Sequence, residues 1–71
     1  MVRGMVDRLA ERLKRDGSDL EGWLRLVRAY TVLGERDRAL SALTDARRAL
    51  GHDTDKLRRL DELVKELKLE G

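Results

Sequence analysis

Two large rings stand seven residues apart in the stretch WLRLVRAYTVLG: Trp23 and Tyr30. The chain has no Phe and no other ring of that size. Seven residues are close to two turns of an α-helix, so the two rings project from one face. Leu26, Val27 and Leu33 extend that stripe, and Leu20, Leu24 and Val32 form a second apolar set beside it. A helix that is apolar on more than one side is usually covered on more than one side. Gly34 then offers a residue that can reverse the chain in a left-handed conformation. Beyond it, Ala39, Leu40, Leu43, Ala46 and Leu50 recur at helical spacing. Large rings on one helix therefore face small alanines on the next, which lets the two helices approach closely. This pattern predicts a helical hairpin with the rings in its core, and the rings are read as core and not as a ligand cage.

The flanking segments carry the same period. Val2, Met5, Val6, Leu9, Ala10 and Leu13 predict an inward face for a first helix over residues 2–16. Gly17 suits a left-handed C-terminal cap, and Ser18 with Glu21 three residues later suits a capping box. The second helix runs from about Leu20 to Leu33 and the third from about Asp37 to Leu50, where Gly51 stops it. A fourth starts near Asp53 or Thr54, with Leu57, Leu60, Leu63, Val64 and Leu67 inward and an Asp61–Lys65 pair on its surface. No strand signal occurs. Short connections make consecutive helices antiparallel, so the fold class is all-α. A chain of 71 residues makes one small domain, burying only about 60% of its unfolded surface.

Counted from Leu20, Trp23 is fourth, Leu26 seventh, Tyr30 eleventh and Gly34 fifteenth, followed by Ala39, Leu43 and Ala46 at twenty, twenty-four and twenty-seven. Residues 20–53 thereby resemble one tetratricopeptide repeat (TPR), a 34-residue helical hairpin. Val27 stands where that family usually has a small residue, implying looser or shifted packing. Gly51 stands where Pro is common, and Leu43 where an aromatic is common. Residues 54–69 read as a degenerate first helix capping the array, and residues 2–16 as the second helix of a preceding half-repeat. About three repeats are usually needed for a stable stack, so a longer protein or self-association is expected.

Composition excludes several functions. There is no Cys, hence no thiol chemistry, disulfide or thiolate metal site. His52 is the one histidine; Asp53 and Asp55 beside it are explained by helix capping, so no metal site is read. Ser18, Ser41 and Thr44 have no partner base, and no Gly-rich phosphate loop occurs. The chain is therefore read as non-catalytic and without a cofactor. Sixteen basic residues, twelve of them Arg, are interleaved with fourteen acidic ones, and the net charge is only +2. With no basic cluster and no aromatic platform, no nucleic-acid binding is read. No apolar run reaches the ~20 residues of a membrane span, and no signal-peptide pattern opens the chain.

Binding remains. In TPR proteins the first helices of successive repeats line a concave groove. By that register Glu21, Leu24, Arg28, Thr31 and Val32 face it from the second helix, and Asp55, Arg58, Glu62, Lys65 and Glu66 from the fourth. The candidate binding residues are Glu21, Leu24, Arg28, Thr31, Val32, Arg58 and Lys65. A groove that is part apolar and part charged suits an amphipathic peptide helix. Alternatively, Leu24 and Val32 pack on the first or fourth helix. Eukaryotic chaperone-clamp TPR domains hold a peptide carboxylate with Lys and Asn, and Arg28 replaces the Asn.

RLAERLKRDGSDLEGWLRLVRAY and the terminal LRRLDELVKELKLEG give a sharper likeness. Over nearly its whole length the chain resembles the C-terminal, periplasmic TPR domain of bacterial cytochrome c-type biogenesis proteins of the CycH/CcmI kind. The resemblance implies a membrane-anchored parent and a chaperone role. The family holds unfolded apocytochrome c, chiefly by its C-terminal helix, for haem ligation. Apocytochrome c or another peptide, and other cytochrome c maturation subunits, are the partners implied. The alternative is a generic TPR scaffold for protein–protein assembly or homodimerisation.

Overall fold

In a computed structural model of the chain, residues 2–69 are described, with side chains from Gly4 onward. Four helices follow one another: α1 (Val2–Arg15), α2 (Leu20–Val32), α3 (Arg36–Ala49) and α4 (Thr54–Glu66). No strand occurs among the described residues. The fold is all-α, as the periodicity predicts, and its hairpins match a TPR-like arrangement.

Helix α2 is the hub. It packs most extensively on α3 and also meets α1 and α4. The buried stripe of α2 is Trp23, Leu26, Val27 and Tyr30; α3 answers with Ala39, Ala42, Leu43 and Ala46. Val6 and Leu13 join from α1, and Leu60, Leu63 and Val64 from α4. Burying a Leu or Val side chain stabilises by roughly 1.5–3 kcal/mol, so these contacts dominate the fold. Val27 has no exposed surface at all, so its bulk lies wholly inside the core. The thinnest Cα extent is 15 Å, the depth of two helix layers whose axes lie ~8–10 Å apart.

The α2–α3 turn is a Schellman motif. Gly34 has φ +75°. Its N–H donates to the Thr31 carbonyl at 3.1 Å, and the Glu35 N–H to the Tyr30 carbonyl at 2.9 Å. The same motif ends α4, where Lys68 takes φ 55°. There the Lys68 N–H meets the Lys65 carbonyl at 3.2 Å and the Leu69 N–H meets the Val64 carbonyl at 3.0 Å. This turn folds Leu69 back onto the core.

Several local expectations are corrected. Gly17 is not left-handed; among the described glycines only Gly34 has a positive φ. The N-cap of α2 is Asp19, whose carboxylate accepts the Gly22 N–H at 3.2 Å. Ser18 lies one residue too early to cap and instead donates its hydroxyl to Asp16 at 2.7 Å. Met5 points outward and is 70% exposed. Its neighbour Val6, ~100° further round the helix, takes the inward position. Leu33 is partly exposed because α2 has ended one residue before it. Asp61 reaches across to Arg47 of α3 at 3.1 Å and is not held by Lys65 on its own helix. The inward placement expected of Val2 lies outside the described side chains.

Candidate functional site

Helix α2 turns one face to the core and another towards α4. On the second face Leu24 is half-buried against the core, between Glu21 and Arg28, which are exposed. Thr31 is half-buried, but its hydroxyl donates back to the Val27 carbonyl at 2.9 Å and is turned to its own helix. Val32 is 82% exposed and is not among the apolar side chains packed against the core. Of the two readings for the second apolar set, Leu24 fits the packed one in part and Val32 does not.

Three links tie α2 and its preceding loop to α4. Lys56 Nζ donates to the Ser18 carbonyl at 3.0 Å. Arg59 meets Glu21 at 3.7 Å, and Arg28 meets Glu66 at 3.4 Å. Their order along both segments is the same, so α2 and α4 run parallel. In each link the partners are 38 residues apart, one helical turn more than a 34-residue repeat. These pairs are solvent-exposed, and each contributes at most ~1 kcal/mol. They fix register more than stability.

Arg58 of α4 lines a depression of about 350 Å³ with Leu20, Asp55, Lys56, Arg59 and Glu62. It therefore lies near the Glu21 end of the α2 face. Lys65 lies elsewhere: it lines a depression of about 380 Å³ between α3 and α4, with Leu40, Leu43, Thr44, Arg47, Asp61, Val64 and Leu69. A third depression, about 290 Å³, is lined by Arg25, Arg28, Ala29, Val32 and Leu33. The structure thus brings Glu21, Leu24, Arg28, Thr31 and Arg58 towards the α2–α4 side and places Val32 at its Gly34 end. Sequence reasoning passed over Arg25 and Arg59. A separation of 38, used in place of 34, identifies Arg59 as the partner of Glu21.

The rings are not offered to a ligand. Trp23 is 3% exposed and Tyr30 8%, and the indole N–H donates to the Gly17 carbonyl at 2.9 Å. His52 is exposed in the α3–α4 turn, and among the described residues no cluster of three or more His, Cys, Asp or Glu is placed to hold a metal ion. Asp16, fully exposed in the α1–α2 loop, has its carboxyl held below the ordinary value, chiefly by the Ser18 hydroxyl and then by the Ser18 N–H. Among the described residues no helix is long and apolar enough to cross a membrane.

No protein-family model matches the chain, and no solved structure matches it. Two curated proteins do. The chain is 61% identical over all 71 residues to the cytochrome c-type biogenesis protein CycH of Bradyrhizobium diazoefficiens. It is 54% identical over 67 residues, 94% of its length, to the protein of the same name from Rhizobium meliloti. It spans 19% and 18% of those two proteins, about a fifth of their length. Identity at this level, over all or nearly all of the chain, makes it similar to one segment of these cytochrome c-type biogenesis proteins of the CycH type.

Proposed function

We propose that this chain is a non-catalytic, protein- and peptide-binding TPR module that works in cytochrome c maturation, holding apocytochrome c for haem ligation. The observation that carries the reading is the 61% and 54% identity, over 71 and 67 residues, to segments of relatives named for cytochrome c-type biogenesis. The geometry is compatible with it: α2 presents Leu24 half-buried and Val32 exposed, with Arg28 beside Val32 and Arg58 beside Leu20. A peptide helix binds such a face by setting its apolar stripe on the open parts of Leu24 and Val32 and its charges on the exposed ion pairs. In this reading residues 20–53 are a full repeat, residues 2–16 the second helix of a preceding unit, and residues 54–69 a capping helix. The parent is membrane-anchored, with this segment in the periplasm, and other maturation subunits receive the held chain.

The test is a titration of the isotope-labelled chain with a peptide from the C-terminal helix of a c-type apocytochrome, followed by NMR. Shifts centred on Leu24, Arg28, Thr31 and Val32 are expected. Absence of any shift at millimolar peptide defeats the reading and leaves a scaffold element.

A further inference from the structure

We infer that the Gly34 end of α2 carries a seat for an acidic amphipathic helix, formed by Ala29, Val32 and Leu33 between the guanidinium groups of Arg25 and Arg28. The inference rests on the peptide-binding reading above and deepens it by naming the chemistry of the ligand. Arg25, Arg28, Ala29 and Val32 follow one another at i, i+3, i+4 and i+7, so they share a single helix face. The depression they form with Leu33, about 290 Å³, has no acidic residue in its lining. Val32, 82% exposed, stands on it as the most exposed large aliphatic side chain among the described residues. A lone exposed valine needs no explanation. A valine and a leucine side by side, bounded by two arginines, have a defined complement.

That complement is anionic. A second copy of this chain, related by a two-fold axis through Val32, would bring two Arg25 guanidinium groups, with two Arg28 groups that already face Glu66, around a small apolar patch. It would offer the Arg25 pair no carboxylate in the lining, and like charges at close range oppose association. A cationic partner meets the same repulsion. A helix with a leucine stripe flanked by carboxylates meets none, because apolar side chains cover Ala29, Val32 and Leu33 while carboxylates reach the two arginines. The molecule already contains one such contact: Glu66 of α4, a helix parallel to α2, meets Arg28 at 3.4 Å. The seat repeats that arrangement on the flank of α2 that bears Arg25.

The experiment titrates the labelled 71-residue chain with three designed helical peptides that share a leucine stripe and differ only in flanking Glu, Gln or Lys. The apocytochrome peptide serves as a fourth ligand. The Glu peptide is expected to shift Arg25, Arg28, Ala29, Val32 and Leu33, and to bind about tenfold more tightly than the Lys peptide. Arg25→Glu with Arg28→Glu is expected to invert that preference. Val32→Ser is expected to weaken the Glu peptide while leaving the melting curve in place, since the side chain is already in water. Equal binding of the Glu and Lys peptides overturns the inference. Shifts centred on Leu20, Leu24 and Arg58, with none at Val32, overturn it too but leave the peptide-binding reading standing. Concentration-dependent shifts at Val32 in the absence of peptide assign the patch to a second copy and also overturn it. No response to any of the four ligands removes both readings together.

Discussion

Gly17 lies so near the end of α3 that a Cβ built on it would stand 2.6 Å from the Cβ of Ala49. The Ala49 methyl is fixed to a helix and cannot swing aside. This glycine is therefore needed for a close approach between the α1–α2 loop and α3, and not for its backbone freedom. Gly17→Ala is expected to lower stability by about 1–3 kcal/mol. In a domain of this size each kcal/mol appears as a drop of roughly 4–8 °C in Tm. Adding Ala49→Gly should return part of the loss, despite the ordinary cost of glycine in a helix. A double variant no more stable than Gly17→Ala alone would show that the loss arises elsewhere.

The same loop is held by the Trp23 indole N–H on the Gly17 carbonyl. Trp23→Phe keeps an aromatic ring but removes this donor and part of the packed volume. A loss of about 1–3 kcal/mol is expected from the hydrogen bond and the smaller ring together. Denaturant unfolding followed by circular dichroism checks it. Faster amide exchange in residues 16–19 of the variant is the local signature, because that segment loses its anchor.

Lys68 occupies a left-handed conformation that costs an L-residue roughly 1–2 kcal/mol. Lys68→Gly should therefore stabilise the protein by about 0.5–1 kcal/mol after the entropy of glycine is counted. Gly34→Ala is the converse, with no neighbouring atom in the way, and should destabilise by about 1 kcal/mol through backbone conformation alone. Thermal melts of the two variants must move in opposite directions for this account to stand.

Asp16 offers a pH readout. Its folded carboxyl lies below the ordinary 3.8, with the Ser18 hydroxyl as the main cause. A lowered folded value means the stabilising contribution is present above the unfolded value and is lost as pH falls through the folded one. An NMR titration of the Asp16 side chain should give a midpoint below 3.8 in the wild-type chain. Ser18→Ala should move that midpoint upward, and an unmoved midpoint would remove Ser18 as its cause.

The hairpin was legible because its residues are paired by size and period: Trp23, Leu26 and Tyr30 on one helix, Ala39, Leu43 and Ala46 on the next, with Gly34 between. Those positions are set by contacts within ~30 residues and leave a repeating trace. The errors lie where tertiary contact decides between locally equivalent choices. Ser18 and Asp19 are both good caps, and the winner is the residue that stands directly before Leu20. Gly17 looks like a helix stop until Ala49 is brought against it. Met5 and Val6 are both apolar, and only packing against α2 shows which one turns inward. At the candidate site, repeat register named both Arg28 and Glu66, which the structure joins in an ion pair. It did not name Arg59 as the partner of Glu21, because register gives equivalence between helices and not adjacency.

The 38-residue step between linked groups has a geometric consequence for anything that lies across α2 and α4. In the 34-residue frame proposed for the repeat, Leu24 is equivalent to Arg58, and Arg28 to Glu62. Linked groups stand four residues beyond equivalence, so equivalent positions are displaced by about 6 Å along parallel axes that lie ~9 Å apart. The two helices are treads of a sheared staircase. A ligand helix that touches matching positions on both must climb obliquely, roughly 30–35° away from the perpendicular. If the proposed peptide binding takes place here, selection is by crossing angle and its hand as well as by side chain. A peptide with the right residues on a helix that cannot lie at that slant reaches one tread and misses the other.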